Sequence, residues 1–246
     1  MTVIKSVDYQ SNDLLPIAQA LAERLGLSID RNASSCLYVS EDRLNLKLPK
    51  FSLLSADFSY STWERRKSEG KKQGLVRACK PGVGLKIIDA TAGWGKDAAI
   101  LASFGAEVLM VERNAIIATL LADALSRRSE SDMAAMSLSL TVGDAFTYLS
   151  SLSHEEYPDI IYIDPMHPER SKSALVKKEM QALQSLIGPD MDVIELIEIA
   201  RSRVKQRVVV KWPQKVGALL KPEASIIGKT VRFDIYFPRA KNGDGS

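Results

Sequence analysis

From Pro81 onward the sequence predicts an α/β fold, a mostly parallel sheet with helices on both faces, and three observations carry that prediction. Short apolar runs alternate with longer segments of helical period. The runs are almost continuously apolar, as strands buried on both faces must be. Glycines and acids cluster just after the runs, and ligands of open α/β sheets bind there, outside the carboxyl ends of the strands.

Strands are expected at residues 85–89, 107–112, 138–142, 160–164 and 207–211. A last β-rich stretch covers 225–237, with 231–237 its clearest strand. Helices are expected at 96–104, 115–127, 172–185 and 192–204. Residues 1–62 read differently. Leu14, Ile17, Leu21 and Leu25 recur at helical spacing over 13–25, and Gly26 stops the helix. Residues 36–39 and 44–48 are short strand candidates, since Leu44, Leu46 and Leu48 alternate with Asn45 and Lys47. Phe58, Tyr60 and Trp63 continue that style. The expected organisation is a small N-terminal α+β appendage over 1–62, a basic connecting segment over 63–80 and the main domain over 81–246.

The composition narrows the function. Hydrophobic residues make up 46% of the 246, enough for a full core. The net charge is only +3, so a basic surface must come from local clustering. Cys36 and Cys79 form neither a metal spacing nor a disulfide framework and read as two reduced thiols in a cytoplasmic protein. The N-terminus lacks an apolar signal core, and no run approaches a membrane span. His154 and His167 are isolated, so no metal is expected. The most basic stretch, WERRKSEGKKQGLVRACK, carries Arg65, Arg66, Lys67, Lys71, Lys72, Arg77 and Lys80 against Glu64 and Glu69. It reads either as a solvated connecting helix or as a phosphate contact.

Two loops carry the chemistry. The first strand opens into IIDATAGWGKDA, from Asp89 through Gly93 and Gly95 to Lys96 and Asp97. The glycines let bare backbone approach a ligand. A dinucleotide fingerprint would place a third Gly where Ala98 stands, and Asp97 in the first helical turn suits a pyrophosphate poorly. This disfavours a nicotinamide dehydrogenase. Asp97 suits a cation such as the sulfonium and amino group of S-adenosylmethionine; taken alone, the loop also fits a tight turn with a capping Asp97. Glu112 ends the second strand nineteen positions after Gly93, the spacing of an acid that receives ribose hydroxyls. An ordinary strand-terminal Glu paired with Arg113 is the plainer alternative. Asp144, beside Ala145 after the third strand, either accepts from an adenine amino group or caps the next helix.

The second loop, IIYIDPMHPERSKSALVKKEM, begins with Asp164-Pro165 after the fourth strand. Its prolines fix the direction of the Asp164 carbonyl. An exocyclic base amine is a poor nucleophile because its lone pair is delocalised into the ring. A carboxylate and a carbonyl accepting its two N–H bonds aim that lone pair at a methyl donor, and positioning supplies most of the effect. His167 is either a stacking surface for an extruded base or a surface residue. Arg170, Lys172, Lys177 and Lys178 suit RNA phosphates as a group and solvent as individuals. Lys211 and Trp212, ending the fifth strand, fall on the ligand edge as well.

DATAGWGKDA, VERN at 111–114, YIDPMHPERSKSALVKKEM, VVVKWP and RFDIY together resemble the bacterial ribosomal RNA small-subunit methyltransferase J family over residues 65–236. The resemblance implies a Rossmann-like, seven-stranded class I methyltransferase that transfers a methyl group from S-adenosylmethionine to N2 of a guanine in small-subunit RNA. It implies cofactor contacts at Lys96, Asp97, Glu112, Arg113, Asp144, Ala145 and Asp164, with small-subunit RNA or the 30S particle as partner. Three departures from the family pattern stand out: Lys96 stands for Arg, Asp144-Ala145 for Ser, and His167 for a Phe in Asp-Pro-Met-Phe-Pro. The alternatives are an adenine-N6 or guanine-N2 methyltransferase of another nucleic acid, and a non-catalytic ribosome-assembly factor, which would need neither Asp164-Pro165 nor Glu112.

Overall fold

The computed structural model describes residues 3–68, 70–166 and 192–239. The chain begins with a small sheet made of β1 (Ser6–Tyr9), β2 (Ser28–Ile29), β3 (Cys36–Val39) and β4 (Leu44–Lys47), in the order β2-β1-β3-β4. Between β1 and β2 runs α1 (Leu15–Leu25), which ends at Gly26 in the left-handed conformation, φ 65°. The central strand β1 has no clear sequence signature because Asp8 interrupts its apolar run. Asp8 is buried and holds Lys47 Nζ at 3.1 Å and Arg31 Nε at 3.2 Å, so the charge is paired.

The strand-like reading of Tyr60 and Trp63 is corrected: both lie in helix α2 (Tyr60–Ser68). Asp57 is the overlooked signal. Its carboxylate accepts from Ser59 N (2.9 Å) and Thr62 Oγ1 (3.1 Å), and its carbonyl accepts from Trp63 Nε1 (2.9 Å). Such a start-of-helix arrangement overrides two residues of alternation. The helix α3 (Gly74–Cys79) follows and buries Leu75, Val76, Ala78 and Cys79 against the main sheet, leaving Arg77 and Lys80 exposed.

The main sheet contains β5 (Lys86–Asp89), β6 (Glu107–Glu112), β7 (Leu138–Val142), β8 (Ile160–Ile163), β9 (Arg207–Pro213), β10 (Ala224–Ile227) and β11 (Val231–Tyr236). Helices α4 (Lys96–Ser103), α5 (Ala115–Ser126), α6 (Glu130–Ala135), α7 (Ala145–Ser151) and α8 (Val193–Ser202) connect them. The order is β10-β11-β9-β8-β5-β6-β7, parallel except for β11, which runs antiparallel to both neighbours. The expected helix over 172–185 lies outside the described residues. The fifth strand runs on to Pro213, beyond the expected Lys211, because β11 pairs along its whole length.

Consecutive strand residues feed opposite cores. Ile87, Val108, Met110, Tyr162 and Val209 join one hydrophobic cluster, whereas Ile88, Val111, Ile161, Val208 and Val210 join the other. Each aliphatic side chain so buried stabilises the fold by roughly 1.5–3 kcal/mol, which is why these strands read as continuous apolar runs. The first cluster also takes in Val7, Leu37, Leu46 and Phe58, so one core spans both sheets. Polar contacts reinforce the join. Leu44 N donates to Asp123 Oδ2 (3.2 Å), Arg127 Nη2 to the Ala56 carbonyl (2.7 Å), and Tyr60 N to Asp132 Oδ1 (2.7 Å).

Candidate active site

β5, β6, β8 and β9 are mutually parallel, so Asp89, Glu112, Asp164 and Lys211 emerge at one edge of the sheet. The strand order reverses between β5 and β8, and the two loops singled out in the sequence lie side by side there.

The loop after β5 is built on glycine. Gly93 and Gly95 have φ of 53° and 68°. A Cβ at Gly95 would come within 2.6 Å of Phe58 Cζ and 3.0 Å of Met110 Sδ, so the N-terminal segment fills the space under the loop. Ala98, in place of a third glycine, is completely buried as α4 packs on the sheet. Glu112 is buried; its Oε2 accepts from Gly93 N (2.9 Å) and its Oε1 from Asn114 N (2.7 Å). The strand-end acid is therefore latched to the glycine loop. Arg113 faces Asp192 Oδ2 at 3.3 Å. Asp144 caps α7 through Oδ1, accepting from Thr147 N (2.8 Å) and Thr147 Oγ1 (3.0 Å). Ala145 is buried behind it.

The loop after β8 meets this pocket through a chain of polar contacts. Tyr162 OH donates to Asp97 Oδ2 (2.5 Å). Lys211 Nζ donates to Asp97 Oδ2 (2.9 Å) and Asp164 Oδ2 (2.7 Å). Asp164 N donates to Thr91 Oγ1 (2.6 Å). Asp164 Oδ1 is buried and has no hydrogen-bond partner among the described residues. The side chains of Asp97, Lys211 and Asp164 are 24%, 19% and 15% exposed, so they are largely desolvated.

Charge balance follows from the surroundings. Burial, then the neighbouring Asp97 and Asp164, push the Asp89 carboxyl up to about 8. Burial also raises the Tyr162 hydroxyl well above its ordinary range, aided by Asp97 and Asp164. Burial alone would lower the Lys211 ammonium, but Asp164 and Asp97 outweigh it and raise it. The cluster therefore gathers the acidic groups Asp89, Asp97 and Asp164 around the ammonium of Lys211. An excess of acidic groups and a buried acceptor with no partner among the described residues fit a cationic ligand and an N–H donor.

The raised Asp89 has a measurable consequence. The folded protein keeps this proton where the unfolded chain has lost it, so stability falls as pH rises from the ordinary carboxylate range through about 8. Asp89→Asn should flatten that decline, with its stability relative to the wild type growing over the same window in urea unfolding. An unchanged slope would show that Asp89 is ionised in the fold.

Pro165 and Met166 follow Asp164 within the described residues, whereas His167, Arg170, Lys172, Lys177 and Lys178 lie outside them. Arg65, Arg66 and Lys67 lie on α2, and their side chains are likewise outside the description. Among the described residues no group of three His, Cys, Asp or Glu side chains is placed to hold a metal ion. Sequence reasoning did not single out Thr91 or Tyr162. The signal for Tyr162 was present, because a tyrosine inside an apolar strand must find a partner for its hydroxyl.

This seven-stranded sheet, with its acidic pocket at the point where the strand order reverses, defines a class I S-adenosylmethionine-dependent methyltransferase. Residues 20–238 match the family model described as "Putative SAM-dependent methyltransferase". A SAM-dependent methyltransferase from Neisseria gonorrhoeae has a similar solved structure, with a TM-score of 0.72 at 27% identity over 98% of this chain and all of that one. The ribosomal RNA small subunit methyltransferase J of Legionella pneumophila (strain Corby) is 64% identical over 239 residues, 97% of this chain and 98% of the relative. Its namesake in Nitrosococcus oceani is 39% identical over 251 residues, 94% of this chain and 97% of that one. The chain belongs to the ribosomal RNA small subunit methyltransferase J family.

Proposed function

We propose that this protein transfers a methyl group from S-adenosylmethionine to the exocyclic N2 of a guanine in small-subunit ribosomal RNA. The family supports the cofactor and the RNA, and the observation that carries the chemistry is the buried Asp164 Oδ1, which has no hydrogen-bond partner among the described residues. When bound, S-adenosylmethionine supplies an electrophilic methyl group on a sulfonium. Glu112, latched by Gly93, receives the ribose hydroxyls. The loop from Asp89 through Gly93, Gly95 and Lys96 forms the floor, with Asp97 beneath the cationic end. Arg113, Asp144 and Ala145 line the adenine side.

Asp164 Oδ1 accepts an N–H from the base amine and localises its lone pair, while Pro165 fixes the direction of the neighbouring carbonyl. The amine nitrogen would bond to the methyl carbon as the sulfur–methyl bond broke, leaving a neutral thioether, and would shed one proton afterwards, so no strong base is required. His167 offers a stacking surface in place of the family's aromatic residue and would weaken base binding where it is protonated. Arg65, Arg66, Lys67, Arg170, Lys172, Lys177 and Lys178 are the proposed phosphate contacts. Such a substrate puts the protein in the cytoplasm, and no helix among the described residues is long and apolar enough to cross a membrane.

The test is transfer of labelled methyl from S-adenosylmethionine to small subunits, and to their free RNA, from a strain lacking this protein. Labelled N2-methylguanosine in the nucleoside digest is the expected result. Label on an adenine would replace the guanine reading. No transfer despite intact cofactor binding would favour another nucleic acid or a non-catalytic role.

A further inference from the structure

We propose that Lys211 is a positioning residue that decides which oxygen of Asp164 meets the substrate amine. The role rests on the methyl transfer proposed above and concerns this site. Lys211 Nζ occupies Asp164 Oδ2 at 2.7 Å, and the Asp164 backbone N–H is pinned on Thr91 Oγ1 at 2.6 Å. With Oδ2 and the backbone N–H committed, Oδ1 is the carboxylate oxygen left without a partner among the described residues. The ammonium is itself fixed from the other side by Asp97 Oδ2 at 2.9 Å, and Tyr162 OH orients that carboxylate at 2.5 Å. Lys211 Nζ is committed to the two carboxylates and acts through Asp164.

The groups around the ammonium are Asp97 on α4, the Tyr162 hydroxyl on β8, Asp164 just after β8, and Asp89 on β5, with the buried Cys79 thiol of α3 beside Asp97 and Asp89. The ammonium lies between the two carboxyl groups; without it, like charges in a desolvated site favour keeping a proton between them. Removing Lys211 therefore frees Asp164 to rotate and partly neutralises it. A displaced acceptor of this kind costs about 100-fold in rate.

The experiment compares Lys211→Met and Lys211→Arg with the wild type on small subunits. Lys211→Met should lose about 100-fold in kcat at neutral pH and recover as pH rises, with S-adenosylhomocysteine affinity and the KM for RNA little changed. Lys211→Arg, which keeps the charge, should retain most of the rate and the wild-type pH profile. In the free protein, the carboxyl carbon resonances of Lys211→Met should titrate at higher pH than those of the wild type, a readout independent of turnover. A wild-type rate and profile in Lys211→Met overturns the role, as does an Arg variant no better than the Met one. A defect confined to cofactor affinity or melting temperature also overturns it.

If Lys211→Met does not fold, adding Asp97→Asn removes the second buried charge. That double variant should be slower than Asp97→Asn alone, and equal rates overturn the role. An inactive wild type whose carboxyl resonances respond as expected would instead retire the substrate assignment and leave the Lys211–Asp164 coupling standing.

Discussion

Asp164→Asn should reduce methyl transfer by about 10²–10⁴-fold while leaving the fold and S-adenosylhomocysteine binding intact. The geometry explains why so small a change is damaging. Lys211 Nζ donates to Asp164 Oδ2 at 2.7 Å and accepts nothing, so an amide there must turn its oxygen toward Lys211. The amide NH₂ then takes the place of the buried Oδ1 and presents a donor to the donating base amine. The aim of the lone pair is lost, and a repulsive contact replaces it. Single-turnover methylation of small subunits, with cofactor binding and circular dichroism as controls, checks the result. A variant with full activity would remove Asp164 from the chemistry.

Arg232→Met should destabilise the protein by about 3–5 kcal/mol, the usual cost of stripping one partner from a buried ion pair. Arg232 and Asp234 are 8% and 1% exposed. Arg232 Nε lies 2.9 Å from both carboxylate oxygens of Asp234. Its Nη1 donates to the carbonyls of Pro213 (3.2 Å), Gln214 (3.0 Å) and Val216 (2.6 Å). The methionine fills part of the volume but leaves a buried carboxylate with, among the described residues, only the Ser225 hydroxyl, at 2.6 Å, and the turn after β9 untied. For a chain of this size the melting temperature should fall by on the order of 10 °C, measured by calorimetry. Replacing Asp234 by Leu in the same background should recover part of the loss, because the stranded charge goes too. A melting temperature within a degree or so of the wild type would show that the pair is solvated.

The sheet was legible because its strands are continuous apolar runs ending in turn residues, and β6 and β7 fall on the expected boundaries. Glu112 was legible through its distance from Gly93, since that spacing reflects one β-α-β unit. Asp144 was legible only as a pair of alternatives, and the capping geometry is visible in coordinates alone. The Tyr162–Asp97–Lys211–Asp164 network could not be read from spacing. Lys211 lies 114 positions from Asp97 and 47 from Asp164, and only the strand order brings them together. The misread start of α2 has a local cause: Phe58 and Tyr60 in alternation mimic a strand until the turn that Asp57 closes ahead of the helix is recognised.

Phe58 beneath Gly95 bears on how this chain can be dissected. A truncation that begins at the first strand of the large sheet would look reasonable on paper, since it keeps every residue of the pocket. It would also remove the ring that fills the space at Gly95 and strip the apolar cover from part of the shared core. The cofactor loop would then stand over a void, with its positive-φ glycine free to relax. A shortened protein of this kind should be a poor reagent for probing RNA recognition, because a lost signal would report a collapsed loop as readily as a missing RNA contact. Point substitutions on the N-terminal surface are the cleaner instrument.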